Sequence, residues 1–170
     1  MASRWYVVVT FSATDALSGV ASVDVPATLS AEGTGLGASG TAADLAGNTA
    51  SAGVTGIRID KTPPAVVWTG NAGTYTVDQT VRLSCAATDA LSGVASTTCQ
   101  DVSGPAYAFP LGTSTFGAEA VDVAGNTGSG SAFFSVMVTA PSLAILTSRF
   151  VTDSAIADSL NVKLVGYLRA

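Results

Sequence analysis

The sequence predicts an all-β protein of two consecutive β-sandwiches followed by a short C-terminal helix. Only 11% of its 170 residues are charged, against about 25% in ordinary domains. Ala, Gly, Ser, Thr and Val fill much of the chain, and such small and β-branched residues suit short strands and turns. Two motifs each occur twice in the same order. Between them, alternating apolar stretches are bounded by Gly, Asn and Asp, as is typical of strands.

The repeated motifs are long and close to identical. Residues 14–22 and 88–96 both read TDALSGVAS. The second motif reads DLAGNT at 44–49 and DVAGNT at 122–127. A unit of this length is too long for a solenoid repeat and suits a sandwich of about seven short strands.

The boundary between the two copies falls at a pair of prolines. Pro63 and Pro64 cannot donate ladder hydrogen bonds, so a strand ends there. We therefore predict a first repeat over 1–62, a second over 63–140 and a C-terminal segment over 141–170. The first copy has few residues before its first motif, so we expect it to lack its first strand.

Alternation and turn residues place the individual strands. In the first repeat the predicted strands are 4–14, 20–25, 27–32, 38–44 and 50–59. In the second repeat they are 65–68, 79–88, 94–100, 106–115, 116–122 and 127–138.

Several function classes are excluded by composition. The chain has no histidine, which removes Ser-His-Asp and Cys-His catalysis and His-ligated metals. The net charge of −5 argues against a nucleic-acid partner, because binding needs clustered Lys and Arg. The apolar stretch Trp5–Phe11 is too short for a membrane span and lacks the cleavage site of a signal peptide. We expect a protein that is not an enzyme.

The two cysteines, Cys85 and Cys99, flank the second TDALSGVAS motif. The simplest interpretation is a disulfide joining two strands across this turn; two buried free thiols are the alternative. The aligned residues of the first repeat, Phe11 and Val25, are apolar, and we expect them to face inward as a pair. A disulfide would indicate an oxidising compartment.

Together the motifs A-x-D-x-x-S-G-V, A-x-D-x-A-G-N-T and I-D-K-T-P-P resemble those of the Ig-like repeats found in tandem on bacterial secreted and cell-surface proteins. The resemblance covers residues 5–64 and 63–139. It implies Ig-like β-sandwiches, an extracellular or cell-surface location and a spacer, adhesive or accessory role. It does not imply catalysis.

The C-terminal segment has helical periodicity. Apolar residues recur there at i, i+4 spacing: Ile156, Leu160, Leu164 and Leu168. Thr152 or Asp153 is the candidate N-cap of this amphipathic helix. Residues 157–164 resemble the first helix of the FIMAH-type domain that ends some bacterial secreted proteins. The alternative is an ordinary helix docked on the second sandwich.

The repeated aspartates are candidate cation ligands. In an Ig-like sandwich the loops that carry the two motifs lie at the same end, where neighbouring carboxylates repel each other. Ca²⁺ suits a site of carboxylate and carbonyl oxygens, and the linker Asp60 should reach the second repeat's loops. The candidate ligands are Asp60, Asp89, Asp122 and Asn126 in that site, and Asp15, Asp44 and Asn48 in the first repeat.

A purely structural interpretation of these residues remains open. Asp and Asn are common turn residues because their side chains hydrogen-bond to local backbone. Asp15 and Asp89 then cap their turns, and Asp60 pairs with Lys61.

Taken together, the sequence predicts a non-catalytic extracellular spacer or adhesion module of a bacterial surface or secreted protein, with Ca²⁺ as the candidate ion. Its partner is an unknown protein or carbohydrate at the cell surface. One alternative is an accessory carbohydrate-binding module that uses exposed aromatic residues. Another is a fibre subunit or homo-oligomer, completed by strand exchange. The aromatic candidates are Trp5, Trp68, Tyr75, Tyr107, Phe109 and Phe116.

Overall fold

The computed structural model describes residues 2–3 and 5–167, which form several β-sheets and two C-terminal helices. Among the described residues, six strands precede the diproline: β1 (Ala2–Ser3), β2 (Val7–Val9), β3 (Val20–Val23), β4 (Ala27–Leu29), β5 (Gly33–Asp44) and β6 (Thr49–Ile59). One sheet has the order β1-β6-β5-β3, and a second pairs β2 with β4.

Between the diproline and residue 167 the structure has seven strands: β7 (Ala65–Thr69), β8 (Thr74–Thr76), β9 (Thr80–Thr88), β10 (Val94–Thr97), β11 (Val102–Pro105), β12 (Gly112–Asp122) and β13 (Thr127–Met137). They form one sheet in the order β10-β12-β13-β8 and another in the order β11-β9-β7. Two helices, α1 (Ala140–Phe150) and α2 (Ser154–Tyr167), end the described chain.

The two halves of the chain share one pairing scheme. Strand β1 runs parallel to β6, with Ala2 opposite Arg58. In the same way β8 runs parallel to β13, with Tyr75 opposite Val136. The difference lies in the smaller sheet, where β9 has β11 on one side and β7 on the other, while β2 pairs with β4. The prediction that the chain is built mainly of β-strands is confirmed.

Several predicted strands need correction. The strands predicted at 106–115 and 116–122 are one strand, β12, preceded by a 3₁₀ turn at Ala106–Ala108. Pro110 and Gly112, which has a φ of 87°, delay the strand start, because proline cannot donate a ladder hydrogen bond. Of the strand predicted at 4–14, only Val7–Val9 form a strand, β2. Arg4, the first residue of that prediction, lies outside the described residues. Strands β1, β8 and β11, too short for visible alternation, were missed.

The chain divides into two compact units. One contains the residues through Pro64 together with Thr88–Ser96 and Ala120–Gly128. The other contains Ala65–Ala87, Thr97–Glu119 and the residues from Ser129 onward. The motif loops of the second repeat therefore belong to the first unit. The domain boundaries at 62 and 140 stay a prediction.

The second unit has a compact apolar core centred on Phe134, which has no exposed surface. Its ring lies 5.4 Å from Tyr75 and Phe116 and 5.3 Å from Phe109, measured between ring centroids. Side chains of both sheets of this unit meet in the core, among them Leu83 of β9. The core therefore holds the two sheets together.

The predicted disulfide is confirmed, since Cys85 and Cys99 are bonded, with Cα atoms 5.3 Å apart. The predicted inward pair of the first repeat is wrong. Phe11 packs over Gly40, where an added Cβ would come within 2.6 Å of the ring, but Val25 is 82% exposed. Asp24, one residue earlier, pairs with Thr41 through both its main chain and its side chain, and Val25 lies beyond that pair.

One C-terminal helix was predicted and two form: α2 is the predicted helix, and α1 precedes it. Helix α1 begins at Ala140, because Thr139 and Ser142 form a reciprocal capping box, which satisfies free amides. The Asp153 cap of α2 is confirmed by its bonds from the amides of Ala155 and Ile156. Leu168, part of the predicted periodicity, lies outside the described residues.

Helix α1 packs against the core of the second unit through Leu143 and Leu146. Its last residue, Phe150, contacts the ring of Tyr107 edge-on. Among the described residues, neither helix has the length and apolar character needed to cross a membrane.

Candidate metal centre

The TDALSGVAS turn of the second repeat is organised by Asp89. Its Oδ1 accepts hydrogen bonds from the amides of Leu91, Ser92 and Gly93, at 3.2, 2.9 and 2.7 Å. Gly93 has a φ of 81°, a conformation that favours glycine. All three amides use the same oxygen, so this turn does not occupy Oδ2. The predicted turn-capping role of Asp89 is confirmed.

The D-x-A-G-N-T motif forms a tight hairpin between β12 and β13. Asp122 N donates to the Asn126 carbonyl at 3.0 Å, and Asn126 N returns a bond to Asp122 Oδ1 at 2.8 Å. Asn126 Nδ2 donates to Asp122 Oδ2 at 2.7 Å. Gly125, with a φ of 93°, allows the reversal. The hairpin meets the first motif through a 2.9 Å bond from Val123 N to the Gly93 carbonyl.

The third aspartate arrives from the linker. Asp60 follows β6 directly and is only 1% exposed. Its Oδ2 accepts from Ser92 N at 3.0 Å, and its carbonyl accepts from Asn126 Nδ2 at 3.0 Å. Asp60 therefore contacts both motif loops. The alternative pairing with Lys61 is not formed, since Lys61 Nζ donates to the Ser30 carbonyl instead.

Asp60, Asp89 and Asp122 thus converge, each offering a carboxylate oxygen within 4.8 Å of the others. Asp60 and Asp122 are buried, and Asp89 is half-buried. The hydrogen bonds described at the three carboxylates come from neutral donors, namely backbone amides, the Ser92 hydroxyl and the Asn126 side chain. Close like charges disfavour each other, and burial adds a desolvation cost. A bound cation would offset both.

Hydrogen bonds keep the pKa of the Asp122 carboxyl low in spite of its burial. Burial raises this pKa, but hydrogen bonds from the Asn126 side chain and from the amides of Asn126, Gly125 and Ala124 outweigh burial. The net effect places the pKa below its ordinary value of 3.8. The carboxyl is therefore ionised at neutral pH although it is almost fully buried.

Asp122→Asn should destabilise the fold at neutral pH and matter less in acid. Because the folded-state pKa is lowered, the carboxylate stabilises the fold above 3.8 and loses that contribution as the pH falls through the folded-state pKa. Asn resembles the protonated acid at every pH. Denaturant unfolding of both proteins in chelator, from neutral to strongly acidic buffers, should show a difference that shrinks with acidity. The exposed Asp158→Asn is the control, and a pH-independent difference for Asp122→Asn would contradict the assignment.

The first repeat contains the same two loops, but among the described residues no third carboxylate joins Asp15 and Asp44 in a metal-binding group. Asp15 Oδ1 accepts from Gly19 N at 2.7 Å and from Leu17 N at 3.1 Å. Asn48 donates to Asp44 through N and Nδ2, both at 2.7 Å. These bonds from Gly19 and from the Asn48 side chain are the main causes that lower the pKa of Asp15 and Asp44 respectively. Asp15 and Asn48 are exposed and Asp44 is half-buried.

One residue that contacts the linker, Glu32, was not identified from the sequence. Glu32 Oε1 accepts the amides of Lys61 and Thr62 at 2.7 and 2.9 Å and the Thr62 hydroxyl at 2.8 Å. These bonds, led by the one from Lys61 N, lower the pKa of Glu32. Glu32 lies in neither repeated motif. The one signal in the sequence was that acidic residues are few in this chain.

The fold and the site define a predominantly β-sheet protein with one disulfide and an acidic triad that could hold a metal ion. Comparisons with protein-family models, with curated proteins and with solved structures find no match for this chain.

Proposed function

We propose that the chain is a non-catalytic extracellular spacer or adhesion module made of Ig-like repeats, and that Ca²⁺ binds at Asp60, Asp89 and Asp122. The observation that carries the proposal is the convergence of a linker aspartate with one aspartate from each motif loop. A cation at this place would tie the linker to both loops, and it would stiffen the connection after the first repeat.

The donor set favours Ca²⁺ over other ions. The triad supplies hard carboxylate oxygens, and the described residues contain neither a histidine nor a free thiol, the ligands that zinc prefers. Ca²⁺ accepts six to eight oxygens in flexible geometry, whereas Mg²⁺ demands a near-octahedral shell. Water would complete the coordination on the exposed side of Asp89.

An extracellular setting is supported by the disulfide. Cys85 and Cys99 are bonded, and disulfides persist mainly in oxidising compartments. Extracellular modules bind Ca²⁺ with dissociation constants of about 0.1–1 mM, so a modest affinity is enough there. The same compartment therefore suits both the disulfide and a weak cation site.

The distribution of aromatic side chains favours a spacer over a carbohydrate-binding module. Of the six aromatic candidates, Trp5 is 66% exposed. Four others line or pack against the core of the second unit: Trp68, Tyr75, Phe109 and Phe116. Tyr107 is 46% exposed but packs edge-on against Phe150, with an angle of 83° between the rings. Sugar-stacking platforms use exposed aromatic faces, and this pair does not present two coplanar ones.

Strand exchange at the first repeat receives less support. In the second repeat, β7 begins beside Gly128 and Gly130, where an added Cβ would overlap the carbonyl oxygens of Pro64 and Val66. The aligned residues of β6 are Ala50 and Ala52. A strand seated on the first repeat as β7 is seated on the second would meet those two Cβ atoms.

Thermal unfolding in Ca²⁺ and in chelator tests the cation site. Ca²⁺ at about 100 times its Kd should add roughly 2.7 kcal/mol of stability, a rise of roughly 5–10 °C in Tm for a chain of this size. Asp89→Asn should abolish the rise, since it removes one of the three charges while retaining an oxygen for the turn amides.

Asp15→Asn is the matched control, because Asp15 holds the same turn in the first repeat and belongs to no group of three converging carboxylates among the described residues. It should keep the full response to Ca²⁺. Equal Tm values in Ca²⁺ and chelator for the wild type would overturn the proposal. An equal rise in Tm for Asp89→Asn would mean that Ca²⁺ binds at a place other than the triad.

A further inference from the structure

The linker after β6 is held by a carboxylate from the strand connection before β5. Glu32 lies directly before β5 (Gly33–Asp44). One oxygen, Oε1, receives three hydrogen bonds from the linker: the Lys61 amide, the Thr62 amide and the Thr62 hydroxyl. Hydrogen bonds to an ionised acceptor are the stronger kind. Glu32 thus constrains two consecutive residues of the linker.

A second contact anchors the same segment. Lys61 Nζ donates to the Ser30 carbonyl at 2.6 Å. The linker and the 30–32 connection are therefore joined in both directions: the Lys61 side chain bonds to the connection, and the Glu32 side chain bonds to the linker. These contacts join residues about thirty positions apart, so local turn chemistry does not explain them.

The hold of Glu32 extends to Asp60 through a shared amide. Thr62 N donates to Glu32 Oε1 at 2.9 Å and to Asp60 Oδ1 at 3.0 Å. The other oxygen of Asp60, Oδ2, accepts from Ser92 N. Both Asp60 oxygens are therefore oriented by amides, and one of these amides is itself positioned by Glu32.

We propose that Glu32 is a positioning residue for the cation site: it fixes Lys61 and Thr62 so that Asp60 points at Asp89 and Asp122. This inference rests on the proposed Ca²⁺ site. Glu32 is not one of the three converging ligands. Its carboxyl lies beside the Asp60 side chain and holds the linker through Lys61 and Thr62. Losing it would free the linker and make ordering of Asp60 part of the cost of binding.

The test uses the full chain, with Ca²⁺ affinity measured by calorimetry and amide hydrogen exchange measured in chelator. Glu32→Ala should weaken Ca²⁺ binding by about 10- to 100-fold, as removal of an outer partner of a metal ligand does. The same change should accelerate exchange of the Lys61 and Thr62 amides without any Ca²⁺. Glu119→Ala is the matched control, since Glu119 is the only other glutamate and its side chain is exposed.

Glu32→Gln separates positioning from charge. The amide oxygen of Gln can accept the same linker bonds, so this variant should bind Ca²⁺ much more tightly than Glu32→Ala. Equal weakening in both variants would make Glu32 a source of charge and overturn the positioning role. Unchanged affinity and unchanged exchange in Glu32→Ala would also overturn it while leaving the proposed function intact. A wild type that binds no Ca²⁺ would overturn the proposed function itself, and the inference with it.

Discussion

Phe134→Ala is expected to lower the free energy of unfolding by about 3–5 kcal/mol, the usual cost of removing a buried aromatic ring. Phe134 is fully buried and contacts the rings of Tyr75, Phe109 and Phe116. The vacated space is bounded by rigid strands of both sheets of the second unit, so it cannot collapse easily. The aromatic contacts add to the loss.

Urea unfolding of the oxidised protein measures this effect, with the midpoint and the slope compared between variants. Phe133→Ala is the matched control, since Phe133 is the preceding residue of β13 and is 66% exposed. It should change stability by less than about 1 kcal/mol, as surface substitutions usually do. Similar losses in the two variants would contradict the placement of the core on this face of β13.

Gly128→Val is expected to cost about 3 kcal/mol, the upper part of the usual range for overpacking. A Cβ at Gly128 would overlap the carbonyl oxygen of Pro64 and approach its carbonyl carbon to 3.0 Å. Both obstacles are backbone atoms of the buried linker end, so no side-chain rotation relieves them. The strand or the linker must move, and Asn126 of the cation site lies two residues away.

Ala50→Val is the matched control for this substitution. Ala50 is the aligned residue of β6 and is exposed, and valine has high β-propensity. It should leave the Tm almost unchanged or raise it slightly. Equal stability of Gly128→Val and the wild type would mean that β13 and Pro64 are not in contact in solution.

Much of the fold was predictable because its signals are local. Alternation of Val81 and Leu83 predicted strand β9 and its buried face, and both side chains are at most 1% exposed. The predicted turn at Asp89 formed because an aspartate side chain can accept hydrogen bonds from nearby amides, here those of Leu91, Ser92 and Gly93. Where signals were weak the predictions failed. Helix α1 was not predicted as a separate helix, and the first half of the strand predicted at 106–115 contains a 3₁₀ turn.

The candidate site shows the same division. The loops that carry the two repeated motifs were expected to lie at one end of an Ig-like sandwich, and Asp60 lies in the linker three residues before the diproline. This predicted that Asp60, Asp89 and Asp122 would meet, and their carboxylates do converge. Glu32 could not be predicted, because its contacts with Lys61 and Thr62 depend on a strand connection about thirty residues earlier in the chain. The exposure of Val25 was equally hidden, since alignment of the copies transfers residue type but not environment.

By itself, the sequence determined the β-class of the chain, the two kinds of aspartate turn and the pairing of its cysteines, since these depend on residues close together in the chain or on a repeated pattern. Only the tertiary structure decided that Asp60 and Asp122 are buried, that Glu32 holds the linker, and that Gly128 lies against Pro64. The physical reason is that burial and long-range hydrogen bonds depend on how distant segments pack, and no local pattern encodes that packing.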